Sequence, residues 1–346
     1  MRLNSCIAVL GALLLAQVPL AARADWIEAK SRHFTVYSDG SARQLTEFAE
    51  DLERFDYLLR LMTGIDRDTA QDSGAPVRIW LLLNDQAVNE AMDNPHVSGA
   101  YFPSARGGVA IASRERATGT FDISGKSVLL HEYAHHFMLH YFPAGYPAWY
   151  VEGFAEFFST ARTTEQGKME LGRPLMGRAP GLINAGLFPL ALLTSRASTG
   201  GMTLEQGDRF YGTAWLLTHF LEFRPERKQQ FRAYLRDVVA GKTDAEMGSY
   251  FPGGLPQLEK ELAAYLNRPI SYRAFELKNP VVTEVSLRPL SEAENALKKQ
   301  EMLFLIPGRT DDLPRLLKGL RATAARFPQS AYAQALLAVF AKRQFA

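Results

Sequence analysis

The segment LLHEYAHHFMLHYF, residues 129–142, constrains this chain most, because it sets four histidines and one glutamate among apolar residues. His131, Glu132 and His135 form the pattern H-E-x-x-H. Residues four apart share one face of an α-helix, so both imidazoles can bind one metal ion. The glutamate then lies beside the metal and can accept a proton from a bound water molecule. The pattern predicts a helix over residues 126–142 that carries a metal site.

The remaining histidines are predicted to be structural. His136 lies about 100° around the helix from His135, and His140 lies about 180° from the first histidine of the pair, so neither shares the metal. We expect both to pack or to lie on the helix surface. His33, in a predicted strand, and His219, on a later helix, are expected to fill packing or hydrogen-bonding roles.

A zinc enzyme of this kind needs a third protein ligand and keeps one position for water. The longer pattern H-E-x-x-H-x-x-G-x-x-H fails here, because Met138 and Tyr141 stand at its glycine and last histidine. The alternative source is a second helix, PAWYVEGFAEFF, predicted from about residue 147 to 161. It supplies Glu152, 17 positions after His135.

The second helix carries another acidic residue on the same face, Glu156, one turn beyond Glu152. It could accept a hydrogen bond from a ligand imidazole and so fix its tautomer. Two carboxylates among aromatic residues are costly without a cation, which zinc would supply. Gly153 and Ala155 are small, and we expect them to let this helix pack closely on the first.

H-E-x-x-H followed by an E-G-x-A helix resembles the gluzincin metallopeptidases, the thermolysin- and aminopeptidase-like group. In that family the glutamate before the glycine is the third zinc ligand, which corresponds to Glu152. An acidic residue four positions later, here Glu156, often orients a ligand histidine. The chain also resembles the peptidase-MA-like bacterial proteins of unassigned substrate, several of which carry tetratricopeptide repeats. Their later Y-x-x-A-W-x-L-x-H-F-L helix is similar to YGTAWLLTHFL at 211–221.

The resemblance implies Zn²⁺ as cofactor, in agreement with the His₂Glu ligand set. Gluzincins commonly place a Tyr or His opposite the zinc to hold the developing oxyanion, and Tyr211 is the candidate for that role. A tyrosine packed in the core is the equally weighted alternative. The aminopeptidases' G-A-M-E-N type of motif is absent, so the resemblance does not extend to exopeptidase activity.

The fold class expected from the resemblance is α+β, a thermolysin/gluzincin-like zincin domain with a small mixed sheet, an active-site helix and a mainly helical subdomain. It would occupy residues 25–285. A helical, tetratricopeptide-like segment would follow at 286–346 and could bind a protein partner. The predicted elements are strands at 26–39 and 76–84, a hairpin at 99–113, helices at 42–62, 85–92, 189–194 and 205–223, helical sequence at 226–267, and two helices after residue 291. The strand at 108–113 is a candidate for binding an extended peptide by strand addition, or else an ordinary sheet strand.

The first 24 residues are predicted to be a signal peptide. A basic residue precedes an apolar run, and the small-x-small sequence ARA ends at Ala24, where we expect cleavage. An uncleaved anchor is the alternative, and no other membrane segment is expected. The single cysteine, Cys6, lies in this leader, so the mature chain would contain no disulfide and no thiol nucleophile. The expected location is the periplasm or the secreted fraction.

Charge and composition narrow the classes of partner. The chain has 39 basic and 37 acidic residues; the leader contributes Arg2 and Arg23 and no acid, so the mature chain would carry equal numbers of each. This balance argues against nucleic acid as a partner.

The sequence therefore predicts zinc-dependent hydrolysis of peptide bonds in a peptide or protein substrate, with Glu132 as general base. One alternative is a zinc-binding but non-catalytic exported protein that acts as a scaffold through its C-terminal helices. Another is a buried core helix with chance histidines, which would leave three carboxylates in apolar surroundings unexplained.

Overall fold

The computed structural model describes residues 25–66, 75–95, 97–103, 107–115, 124–195, 201–242, 246–277, 284–307 and 312–341. The predicted leader, residues 1–24 with Cys6, lies outside the described residues. The strands are β1 (Ile27–Lys30), β2 (Phe34–Ser38), β3 (Val77–Leu82), β4 (Gly99–Phe102), β5 (Val109–Ser113), β6 (Arg162–Thr163), β7 (Met169–Leu171), β8 (Arg273–Phe275) and β9 (Ser286–Pro289). The helices are α1 (Ala42–Thr63), α2 (Asp85–Met92), α3 (Gly125–Tyr141), α4 (Ala148–Ser159), α5 (Ala179–Ala185), α6 (Leu190–Leu193), α7 (Leu204–Phe223), α8 (Pro225–Val239), α9 (Gly254–Leu266), α10 (Glu292–Leu305), α11 (Leu313–Ala324) and α12 (Ala331–Ala341).

The main sheet is mixed, with strand order β4-β5-β3-β2-β1-β9. Strands β2, β3 and β5 are parallel neighbours, and β4, β1 and β9 join antiparallel. Both faces are covered, as buried parallel strands require. Along β3, Ile79 and Leu81 face the core shared with α1 and α3, whereas Trp80 and Leu82 face α2 and α10. The predicted α+β class is confirmed.

Helix α4 is central to the rest of the molecule. It packs against α3 on one side and α7 on the other, while α5, α8 and α9 surround α7. A second sheet of three antiparallel strands, β6-β7-β8, completes this half.

The expectation that Gly153 brings α4 close to α3 is wrong. A Cβ atom at Gly153 would clash with Thr218 Oγ1 and lie 2.6 Å from the carbonyl oxygen of Ala214, and both of these residues belong to α7. The glycine therefore permits the close contact of α4 with α7.

Two sequence expectations about strands and helices also need correction, and one pair of alternatives is decided. The strand expected over 26–39 is two antiparallel strands, β1 and β2, joined by a turn in which the Ser31 N–H bonds to the Phe34 carbonyl at 2.9 Å. Strand β5 pairs on both sides, so of the two alternatives for residues 108–113 it is the ordinary sheet strand; the edges of the sheet are β4 and β9. Three helices rather than two follow residue 291: α10, α11 and α12. Pro307 lies just after the end of α10 and cannot continue it, so α11 is a separate helix.

The C-terminal helices connect to the main sheet through β9, which pairs with β1 from Ile27↔Pro289 to Lys30↔Ser286. Helices α10, α11 and α12 share a small core of their own that includes Leu297, Leu320 and Phe340. No helix within the described ranges is long and apolar enough to cross a membrane.

Candidate metal centre

Helix α3 is fixed to the ends of β4 and β5 by its first turn. The Ser124 hydroxyl accepts the N–H of Ser127 at 3.1 Å and caps the helix. A Cβ atom at Gly125 would lie 2.5 Å from the Ser113 carbonyl oxygen and 2.9 Å from that of Ser98. Only glycine permits this approach, which sets the position of α3 relative to the sheet edge.

The structure brings His131 and His135 of α3 together with Glu152 of α4. The two Nε2 atoms lie 3.0 Å apart, and Glu152 Oε2 lies 3.4 Å from that of His131 and 3.3 Å from that of His135. Tetrahedral zinc with bonds of about 2.0–2.1 Å separates its ligand atoms by about 3.3–3.4 Å. The three donors therefore fit a single metal ion, and their group could hold one.

The protonation states of the carboxylates suit a metal site. Burial opposes ionisation of Glu152, but hydrogen bonds from His131 and His135 outweigh it and lower its pKa to about 2. This side chain is therefore anionic at neutral pH and could serve as a metal ligand. Burial raises the pKa of Glu132, although the two histidines oppose the rise. A raised pKa brings a carboxylate closer to the range useful for a general base.

Glu156 does not hydrogen-bond to a ligand imidazole, as the sequence had suggested it could. Its Oε1 lies 3.9 Å from Nδ1 of His131, beyond hydrogen-bond reach. It instead accepts two N–H bonds from Arg178, at 3.1 Å from Nε and 3.0 Å from Nη2. Arg178 also donates to Asp208 at 2.8 Å. Both N–H groups donate to the same oxygen, Oε1, in charge-assisted hydrogen bonds. An arginine therefore supplies charge that the sequence analysis assigned to zinc alone.

Tyr211 lies beside the same group of charges. The guanidinium carbon of Arg178 lies 4.8 Å from the centroid of the Tyr211 ring. Burial raises the pKa of Tyr211, and the carboxylate of Glu152 adds to the rise. The tyrosine is partly buried and adjoins the candidate metal centre. Sequence reasoning missed Arg178; the signal available was the need of two buried carboxylates for a cation.

His136 packs between other rings, as predicted. Its Nδ1 forms a hydrogen bond of 2.6 Å with the Tyr101 hydroxyl, and its ring stacks on His140 with a centroid distance of 5.5 Å. Burial lowers the pKa of His136 to about 4, and His140 adds to this effect. Tyr101 belongs to β4, so this hydrogen bond joins the edge strand to α3.

A second group of possible metal donors, His33, Glu53 and Asp56, is better explained as a buried hydrogen-bond network. His33 Nδ1 lies 2.7 Å from Glu53 Oε2, and Arg60 Nε donates to Asp56 at 2.6 Å. Tyr133 of α3 donates to the same aspartate at 2.7 Å. Because Arg60 already supplies the positive charge, the carboxylates do not need a metal ion.

His219 is buried and fully hydrogen-bonded, as expected for a structural residue. Its Nε2 lies 2.9 Å from the carbonyl oxygens of Gly172 and Ser271, and Tyr265 donates to Nδ1 at 3.0 Å. Burial lowers its pKa to about 4 against the effect of those carbonyls.

Comparison with models of known protein families gives no match, and comparison with curated proteins gives none either.

Proposed function

We propose that this chain is a zinc metallopeptidase of the gluzincin type that hydrolyses peptide bonds in peptide or protein substrates. The observation that supports this most strongly is the near-equilateral triangle formed by Nε2 of His131, Nε2 of His135 and Oε2 of Glu152. Such a triangle suits a tetrahedral ion that keeps a fourth position open. A structural zinc site would more commonly use four protein ligands, so the set of three favours catalysis.

Glu132 is the proposed general base. A zinc ion at this centre would polarise a substrate carbonyl and make a bound water molecule more acidic. Glu132 would accept a proton during attack on the carbonyl and then donate it to the leaving amine. Its position beside His131 on α3 and the effect of burial on its pKa support this role.

Tyr211 is the proposed donor to the oxygen on which negative charge develops. Such donors contribute most when they are already in place before the reaction. Arg178, 4.8 Å from the ring centroid, favours one position of the ring. This contact and the nearby carboxylate of Glu152 support the catalytic interpretation over that of a core tyrosine.

The edge strand β4 is the proposed binding site for the substrate backbone. In the main sheet as described, β4 pairs only with β5, which leaves its other edge available for an extended peptide. It packs beside α3 and is joined to that helix through Tyr101. The role first suggested for residues 108–113 thus passes to the neighbouring strand.

Export to the periplasm or the medium and a protein partner at the C-terminal helices belong to the same proposal. The first depends on residues 1–24, and the second on the likeness of the last helices to a tetratricopeptide unit.

The test is zinc quantification together with peptide-library digestion by the wild type and Glu132→Gln. We expect the variant to keep its zinc and to lose hydrolysis by about 10²–10⁴-fold, because it keeps the ligands and removes the base. Glu205→Gln, at an exposed position of α7, is the matched control and should behave as the wild type.

Full activity in Glu132→Gln would overturn the proposed mechanism. Stoichiometric zinc without hydrolysis of any library peptide by the wild type would favour the non-catalytic scaffold instead. Activity that survives a chelator would exclude zinc.

A further inference from the structure

A groove of about 750 Å³ lies between the end of α1, the connection from α3 to α4, and α8. Its volume falls in the range typical of small-molecule sites, about 300–1,000 Å³. Its floor includes Tyr150, Phe154 and Phe158 of α4. These three residues lie on the opposite side of α4 from Glu152 and Glu156, about 160° around the helix. The groove is therefore separate from the candidate metal centre. We refer to it as the aromatic groove.

The floor of the aromatic groove is a set of aromatic rings in mutual contact. The ring centroids of Tyr146 and Tyr150 lie 5.4 Å apart, those of Phe142 and Phe154 lie 5.8 Å apart, and those of Phe154 and Phe158 lie 4.6 Å apart. Two apolar side chains at its lips, Leu61 and Val239, are 50% and 57% exposed. A ligand with a flat or chain-like apolar body would cover this surface and remove it from water, which lowers the free energy.

The charge at the mouth of the groove is positive. Arg232 and Arg236 lie one turn apart on α8 and line the groove. Neither forms a salt bridge with any residue that the structure describes. Glu222, the one acidic lining residue, is paired with Lys228 at 2.6 Å. Asp237, next to Arg236, is itself bound by Lys242 and Tyr250. The net positive charge of the two arginines therefore favours an anion.

Tyr150 adds a hydrogen-bond donor to the groove. The residue as a whole is only 8% exposed, but its hydroxyl is not among the buried polar atoms that lack a partner. The hydroxyl forms no hydrogen bond to another described residue, so it can donate to a polar group of a ligand. Burial raises its pKa, so the hydroxyl stays protonated and can donate.

We propose that the aromatic groove binds a small amphipathic anion, with its apolar body on the rings of α4 and its carboxylate held by Arg232, Arg236 and the Tyr150 hydroxyl. Arginine is well suited to a carboxylate because it offers several donors in a fixed plane. The proposal is independent of peptide hydrolysis, since the groove shares no residue with the metal centre.

The test is isothermal titration calorimetry of the full chain with decanoate. We expect saturable binding at one site. Arg232→Gln with Arg236→Gln should weaken it at least about tenfold, since charge-assisted hydrogen bonds are lost. Tyr150→Phe should weaken it about three- to tenfold through the loss of one hydrogen bond. Decanol and decyltrimethylammonium, which share the chain but not the anion, should bind more weakly than decanoate.

The matched control removes two positive charges elsewhere, with Arg43→Gln and Arg315→Gln, both on exposed helix surfaces. It should bind decanoate as the wild type does. Equal weakening in this control, equal binding of decanol, or no saturable binding would overturn the proposal. Co-sedimentation with anionic phospholipid vesicles, without binding of free decanoate, would overturn it in favour of a membrane-contact surface.

Discussion

At the scale of single residues, Arg178 links three side chains near the candidate metal centre. It donates two hydrogen bonds to Glu156 of α4 and one to Asp208 of α7, and its guanidinium group lies over the Tyr211 ring. The side chain of Glu156 is only 6% exposed, so its charge needs a nearby cation. Arg178 thus supplies a counter-charge to this carboxylate, which lies near His131.

Glu156→Gln should lower zinc affinity by up to about tenfold, at the low end of the effect of losing a hydrogen-bonded partner of a metal ligand, because it removes only a nearby negative charge. The carboxylate lies 3.9 Å from Nδ1 of His131. Its negative charge makes this imidazole a stronger electron donor to a metal ion. Competition with a chelator measures the affinity. Asp208→Asn removes the other partner of Arg178 at a half-exposed position and should leave zinc affinity unchanged. Equal losses in both variants would show that only the packing of Arg178 matters.

His219 should make stability depend on pH in acid. Its pKa is about 4 when folded, against 6.5 for the ordinary value, so the unfolded chain binds the proton more readily. The stabilisation is therefore complete above pH 6.5 and is lost as the pH falls towards 4, by up to about 3 kcal/mol. Urea unfolding of wild type and His219→Gln across this range isolates the effect. The pKa of His33 is raised, so it acts in the opposite direction, but it is present in both proteins. Parallel curves for the two proteins would contradict the assignment.

Among the elements, α4 determines whether the metal centre can form. It carries Glu152 and lies between α3, which holds the two histidines, and α7, which holds Tyr211. Its contact with α7 depends on the missing side chain at Gly153. A shift of α4 would move Glu152 away from His131 and His135.

Gly153→Ala should destabilise the protein by about 1–3 kcal/mol, because the added methyl group clashes with Thr218 and the Ala214 carbonyl. Gly207→Ala is the matched control, since nothing lies within 4 Å of the added atom on α7. The control should stabilise by about 0.5–1 kcal/mol through its better helix propensity. Denaturant unfolding measures both. A neutral Gly153→Ala would mean that the two helices separate easily.

At the scale of the whole molecule, a buried ion pair within α10 contacts the main sheet on one side and α12 on the other. Lys298 of α10 pairs with Glu301 at 2.7 Å and lies 4.0 Å from the Tyr37 ring centroid of β2. Tyr332 of α12 donates to the same glutamate at 2.6 Å. Together with β9, these contacts make the last helices part of one folded unit with the main sheet.

Glu301→Gln should cost about 3–5 kcal/mol, because it leaves the ammonium group of Lys298 buried without its counter-charge. Thermal unfolding and limited proteolysis after residue 285 report the loss. Glu47→Gln breaks an exposed pair with Arg43 and should change little. Resistance of the Glu301 variant to both measurements would mean that water reaches this pair freely.

The helices were the most predictable part of the fold, because their periodicity depends on residues close in sequence. Helix α3 runs from 125 to 141 against an expected 126–142, and α7 from 204 to 223 against 205–223. The same periodicity indicated that His131 and His135 share a face. The third donor, Glu152, was predicted from the E-G-x-A sequence on the next helix. Its role as a ligand depended on the resemblance to the gluzincins.

The sequence by itself therefore determined which side chains share a helix face, since that depends only on the 3.6-residue turn. Only the tertiary structure decided which elements those faces meet. It turned Gly153 towards α7, made β4 rather than β5 the sheet edge, and paired Arg178 with Glu156. The physical reason is that such contacts join residues far apart in the chain, where packing and charge compensation choose among many possible partners.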